Sequence, residues 1–199
     1  MSGELCNQCP RRCGIDRDVS RGFCGTGNKI KVARAALHQW EEPCISGTRG
    51  SGAVFFCGCN LKCVFCQNSE ISRGGDGKEV SSERLGEIFV ELKNSGAHNI
   101  NLVTPTHYAR QIRTAIESVR SDINIPFVYN CGGYESIDGL SHLSDYISVY
   151  LTDIKYFSDE LARRYSRCND YFERAVAALD FMIKTVGVPK YDKDGIMQS

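Results

Sequence analysis

The stretch Ala53-Val54-Phe55-Phe56-Cys57-Gly58-Cys59-Asn60-Leu61-Lys62-Cys63-Val64-Phe65-Cys66 decides how the chain is read. Its first four residues form an uninterrupted apolar run, the pattern of a buried strand. Cys59, Cys63 and Cys66 follow with three and then two intervening residues, and Phe65 directly precedes the last. Three thiolates hold three corners of a cubane iron–sulfur cluster, whereas a cluster that only carries electrons ordinarily takes four. The fourth iron then keeps an open position, as a catalytic zinc keeps one for water or substrate. The competing reading is a zinc knuckle completed by Cys57 or a distant ligand. Zinc sites of short spacing usually come as two pairs, however, and here a single triple follows a strand. A loop at the C-terminal end of a strand is where barrel enzymes carry their chemistry.

A second group lies upstream: Cys6-x2-Cys9-x3-Cys13, then Cys24 after a longer gap. The order of spacings is reversed relative to the first group, so it is not a duplicate of it. With Pro10, Gly14, Gly22 and Gly25 among them, these cysteines describe a small turn-rich segment, residues 1–28, that a metal would staple. A closed four-thiolate zinc site is the plainest occupant, and a second iron–sulfur cluster that relays electrons uses the same ligands. The remaining cysteines, Cys44, Cys57, Cys131 and Cys168, read as small buried apolar residues. Cys57 is also close enough to the Cys59 loop to compete as a ligand.

The chain has 199 residues, 11 of them cysteine, and 24 basic residues balance 24 acidic ones. That balance gives no electrostatic argument for a nucleic-acid or membrane-surface partner. Tight clustering of cysteines without a signal sequence favours metal binding over disulfides and a cytoplasmic setting.

Between the two cysteine groups lie Lys31 to Leu37, then His38-Gln39-Trp40-Glu41-Glu42-Pro43, then the glycine-rich Ser46 to Gly52. His38 and the glutamates have the residue types for acid–base work or for metal, but a solvated face or a structural hydrogen bond is the plainer reading. The glycines lack the Lys-Ser/Thr ending of a phosphate loop and read as a flexible lead-in to the first strand.

Beyond the cysteine loop, strands alternate with helices. Leu85, Ile88, Phe89 and Leu92 share a helical face, capped by Ser81 or Ser82 and stopped by Gly96. Strands are expected at 100–104, 126–130 and 148–155, and helices near 108–119, 136–143, 158–166 and 170–186. The last helix is expected to bury Phe172, Val176, Leu179 and Ile183. This alternation implies an α/β fold with a parallel sheet and right-handed crossovers, too short for eight repeats but sufficient for an open partial barrel.

Gly58 to Asn68 resembles the cluster loop of the radical S-adenosylmethionine (radical SAM) superfamily, and in detail that of uncharacterised relatives of pyruvate formate-lyase activating enzyme. The run His38 to Cys57 and the Cys6 to Cys13 pattern are similar to segments of those relatives. The resemblance implies a partial (β/α)6 TIM-like barrel over residues 29–199, a 4Fe–4S cluster on Cys59, Cys63 and Cys66, and bound S-adenosyl-L-methionine. It implies reductive cleavage to a 5′-deoxyadenosyl radical for hydrogen abstraction, with glycyl-radical-enzyme activation as one outcome. An electron donor such as flavodoxin or ferredoxin, and in the activation case a protein substrate, would be the partners. Phe65 would neighbour the adenine. Thr104 and Thr106, in Thr104-Pro105-Thr106-His107, stand where many members place a Gly-Gly-Glu-like turn that receives the methionine amine. Asn130 ends a strand that often contacts cofactor. Asp153 and Lys155 resemble an Asp-x-Lys at a strand end, where residues two apart point the same way; an ordinary ion pair is the plain alternative.

The chain stops at Gly195 to Ser199, where the resemblance expects a further strand and helix, so a barrel incomplete at its C-terminus is expected, with an open edge. The rival to an enzyme is a non-catalytic iron–sulfur or zinc-binding protein, or an electron carrier.

Overall fold

The structure, a computed structural model, describes residues 5–199, so the first four positions of the cysteine-rich segment lie outside the described residues. Its strands are β1 (Ile30–His38), β2 (Ser51–Phe56), β3 (Lys78–Val80), β4 (Ile100–Val103), β5 (Phe127–Cys131) and β6 (Val149–Thr152). Its helices are α1 (Pro43–Ser46), α2 (Ser69–Ser72), α3 (Ser82–Asn94), α4 (Ala109–Ser118), α5 (Ile137–Ser141), α6 (Asp159–Ser166) and α7 (Tyr171–Val186). One sheet runs in the order β3-β1-β2-β4-β5-β6, and β2, β4, β5 and β6 are parallel. Its two ends do not pair, so the expected α/β partial barrel is open.

The four strands read from the sequence are all present. Sequence reading missed the antiparallel edge: Lys31 to Leu37 belongs to β1, which pairs with both β2 and β3. The glycine-rich stretch is likewise not a loose lead-in. Ser51 and Gly52 start β2, and a side chain on Gly52 would come within 2.9 Å of the Asn99 carbonyl. Close backbone approach is the reason for glycine there.

Register divides the sheet into two faces. Val54, Leu102, Tyr129 and Tyr150 are successive neighbours across β2, β4, β5 and β6, and they face the helices. The opposite, inner face carries the rows Ala53-Asn101-Val128-Val149 and Phe55-Val103-Asn130-Leu151. Helix α3 closes the β2–β4 crossover as its periodicity predicts, burying Leu85, Ile88, Phe89 and Leu92, with the Ser81 hydroxyl accepting from the Arg84 N–H. Each such side chain contributes about 1.5–3 kcal/mol through burial. On the inner face, Ile45 of α1 packs with Val128 and Val149, and Met197 of the terminal segment joins them.

Helix α7 is rotated from expectation. Its buried residues are Tyr171, Ala175, Ala178 and Met182, while Val176 is 45% and Ile183 57% exposed. Both stripes have helical spacing, so periodicity alone does not choose between them. The Tyr171 hydroxyl decides: it donates to the Gly132 carbonyl at 2.7 Å and accepts from the Lys155 N–H at 2.8 Å. A buried phenol needs such partners, and the small Ala175 and Ala178 let the helix lie close behind it.

Candidate functional site

Parallel strands deliver their C-terminal ends to one rim. There β2 leads into the cysteine loop, β4 into Thr104 to His107, β5 into Gly132 to Ser136, and β6 into Asp153 to Lys155. The cysteine loop leaves β2 through Gly58 at φ +88°, where a side chain would stand 2.5 Å from the Thr26 methyl and 2.7 Å from the Cys24 carbonyl. His107, wholly buried, supports the exit through its Nε2–H, which donates to the Cys57 carbonyl at 2.8 Å. Burial lowers that imidazole to about 4, so it stays neutral.

Within the loop the sulfurs are met by hydrogen-bond donors. The Leu61 N–H reaches Cys59 Sγ at 3.3 Å, and the Ser166 hydroxyl reaches Cys63 Sγ at 3.0 Å while it also bonds the Tyr156 hydroxyl at 2.6 Å. Val64 N–H donates to the Tyr165 carbonyl at 3.0 Å, which pins the loop to α6. Burial pushes the Cys59 thiol up to about 11, against the pull of the Lys62 and Leu61 N–H groups. A bound metal would reverse that, because a coordinating thiol is deprotonated outright. Donors aimed at sulfur stabilise thiolates and tune the potential of an iron–sulfur cluster, so these residues fit such a group. Among the described residues no three His, Cys, Asp or Glu side chains are arranged to hold a single ion. A cubane places each thiolate on a different iron and asks for a wider spread than one tetrahedral ion does.

The expected cofactor contacts divide. Phe65 is 56% exposed at the loop tip, flanked by Tyr156 and Tyr165 at 6.0 and 6.4 Å between ring centres. Thr104 takes the left-handed backbone, φ +58°, beside Asn130, whose carbonyl accepts its N–H at 2.8 Å. Asn130 itself faces inward, half-buried. Thr106 does not face the mouth. It is 2% exposed, and its hydroxyl donates to Glu135 Oε1 at 2.8 Å, with Tyr129 donating to the other oxygen at 3.1 Å. A buried carboxyl needs donors, and burial still raises Glu135 to about 7.

Asp153 and Lys155 lie past the end of β6, so strand alternation does not align them. A 2.5 Å ion pair does. Burial works to lower the Lys155 ammonium, but the Asp153 bond and charge, with Cys63 and Cys59 nearby, leave it raised. Its stem lies over Gly132, where a side chain would meet Lys155 Cε at 3.1 Å.

His38 and Glu41 do come together, at 4.0 Å, where Glu41 also meets the buried Asn101 amide. His38 pairs with Ser51 at the start of β2. That is about 17 Å of strand from the cysteine end, so the pair stands apart from the rim.

The N-terminal cysteines pack against the rim. Cys24 carbonyl accepts the Cys59 N–H at 3.3 Å, and Arg11 donates to the Asn60 carbonyl at 2.8 Å, the Ser166 carbonyl at 2.7 Å and Cys168 Sγ at 3.0 Å. Cys57, by contrast, turns away from the loop: its thiol meets the Asp76 carbonyl at 3.6 Å and Gly77. Arg11, Glu135, Tyr156 and Ser166 were missed by sequence reading, while Cys168 is buried as read. Only Arg11 carried a signal, its place between Cys9 and Cys13. The lining of a cleft of about 330 Å³ that includes Cys6, Arg17, Gln111 and Thr114 contains none of Cys59, Cys63 and Cys66.

A family model described as the Radical SAM superfamily matches residues 53–196. The chain is 33% identical over 180 residues to an uncharacterized protein of Methanocaldococcus jannaschii, covering 84% of this chain and 50% of that one. It is 26% identical over 151 residues to 7-carboxy-7-deazaguanine synthase of Methanothermobacter thermautotrophicus, covering 72% of this chain and 60% of that enzyme. The chain thus spans about half the length of the first of these curated relatives and 60% of the second. The narrower resemblance to pyruvate formate-lyase activating enzyme is not carried by these matches.

Proposed function

The chain belongs to the radical SAM superfamily, and on that premise we propose that Cys59, Cys63 and Cys66 hold a 4Fe–4S cluster whose open iron takes S-adenosyl-L-methionine. The observation that carries the reading is the three-thiol loop at the C-terminal end of a parallel strand, with an N–H and a hydroxyl already aimed at two of the sulfurs. When bound, cluster and cofactor supply one-electron cleavage of the sulfonium and a 5′-deoxyadenosyl radical that abstracts hydrogen.

The protein's own residues bind and orient. Phe65 presents an aromatic face and adjacent backbone to the adenine. Thr104 and Asn130 line the rim and would receive the methionine end of the cofactor. Lys155, held by Asp153, offers an ammonium to a carboxylate. Thr106 acts one step back, through Glu135. We read residues 1–28 as a cysteine-rich segment and residues 29–199 as the barrel, and the described part of that segment, residues 5–28, would cover the rim. For the substrate we favour a hydrogen-abstraction target of the activating-enzyme type, a glycine Cα of a partner enzyme, with a flavodoxin or ferredoxin as one-electron donor in the cytoplasm. Among the described residues no helix is long and apolar enough to cross a membrane.

Anaerobic reconstitution with iron and sulfide, followed by reduction, tests the assignment. Adding S-adenosylmethionine is expected to change the electron paramagnetic resonance signal and to release 5′-deoxyadenosine, and Cys63→Ala is expected to abolish both. A protein that takes up zinc alone in this loop would sink the reading.

A further inference from the structure

The N-terminal cysteines are built into the same rim as the first cluster loop. Cys13 and Cys24 flank Gly22, where a side chain would lie 3.3 and 3.6 Å from their sulfurs, so glycine leaves the space between them open. Cys9 is near enough to feel the charge of both. Donors converge here as well: the Phe23 N–H meets Cys13 Sγ at 3.3 Å, and the Thr26 hydroxyl lies 3.1 Å from Cys24 Sγ. The segment has one wet and one dry side. Cys6 and Cys13 are partly exposed, while Cys9 and Cys24 are buried toward the barrel. On that dry side the Cys24 carbonyl accepts the Cys59 N–H, and Gly58 has no room for a side chain.

A structural zinc gains nothing from contact with another metal loop. A redox centre is served by that contact, a backbone bridge to the site that consumes electrons.

We propose that Cys6, Cys9, Cys13 and Cys24 hold a second iron–sulfur cluster, through which electrons from a one-electron protein donor enter. The donor is oxidised by one electron at the exposed Cys6–Cys13 side, and the second cluster is reduced by one and reoxidised as it passes that electron to the Cys59 loop. No proton or bond changes hands. The electron-passing half rests on the radical SAM reading above, whereas the metal content does not.

The test begins with iron, sulfide and zinc counts and Mössbauer spectra on the reconstituted 199-residue chain. The wild type is expected to hold about eight irons, with about four remaining both in Cys59→Ala/Cys63→Ala/Cys66→Ala and in Cys13→Ser/Cys24→Ser, as two cubanes require. The cluster left in the Cys13/Cys24 variant should respond to S-adenosylmethionine, and the one left in the triple variant should not. About four irons in the wild type, all responsive to S-adenosylmethionine, or one zinc per chain in the triple variant, would overturn the proposal and leave the first reading intact. Reduction kinetics then test the relay. Flavodoxin hydroquinone should reduce the responsive cluster of Cys13→Ser/Cys24→Ser roughly tenfold more slowly or worse, while dithionite reduces it at the wild-type rate. Equal rates with flavodoxin would refute the relay.

Discussion

Two cysteine loops meet at the rim of this sheet, and they are ordered by different means. The Cys59 loop is strung from a buried strand and held by Val64 on Tyr165 and Ser166 on Cys63. The Cys6 to Cys24 segment has no strand or helix of its own and is held by turns and by docking. Arg11 reaches from it to the Asn60 and Ser166 carbonyls, and stacks over Phe23 with 3.7 Å to the ring centre. One loop is therefore positioned by the barrel before any metal arrives. The other depends on ligands and neighbours for its shape, as small metal-stapled segments do.

The sharpest break between them is Cys63→Ala. It should eliminate S-adenosylmethionine cleavage to below detection while leaving the iron of the N-terminal segment, measured by metal counts alongside product assay. Next in size is Gly58→Ala. Its positive φ and the 2.5–2.7 Å encounters with Thr26 and Cys24 oppose any side chain, so a loss of about 3 kcal/mol or more is expected in denaturant unfolding. If the loops are one mechanical unit, both should lose iron together; loss from only one would separate them.

Glu135 touches both regions, since it holds Thr106 at the rim and its charge bears on Cys9. Its folded value of about 7 lies above the ordinary 4.5, so between those pH values the folded state holds the extra proton. Stability should therefore fall as pH rises through that window, by roughly 3 kcal/mol in total. Glu135→Gln should flatten the slope in unfolding curves recorded from pH 4.5 to 7.5, and an unchanged slope would mean the carboxyl ionises freely. The smallest effect is expected on α7: Ile183→Gln should change stability by less than about 0.5 kcal/mol, whereas Met182→Ala should cost about 2–3 kcal/mol.

That last pair shows where sequence reading fails. Phe172, Val176, Leu179 and Ile183 form the greasier stripe, yet Ala175, Ala178 and Met182 are the buried ones. The choice was made by Tyr171, which contacts Gly132 and Lys155 across the fold. Strand β1 was missed for a related reason: Lys31 to Leu37 mixes charge and alanine because its outer half is solvated at the sheet edge. Helices α3 and α4 were legible because each presents one apolar face with no competitor. In the site, Thr104, Asn130 and Lys155 lie at or just past the C-terminal ends of β4, β5 and β6. Thr106 is diverted to a carboxyl 29 residues away that no spacing rule connects to it.

The sequence by itself determined the local features of this protein: the three-cysteine loop behind an apolar strand, the strand–helix alternation, and two cysteine groups of opposite spacing. These are short-range patterns, set by covalent reach and by the periods of strand and helix. Only the tertiary structure decided which face of α7 is buried, that Glu135 binds Thr106, and that Cys24 lies against Cys59. Those outcomes depend on burial and on finding partners for buried polar groups, which are properties of the assembled chain.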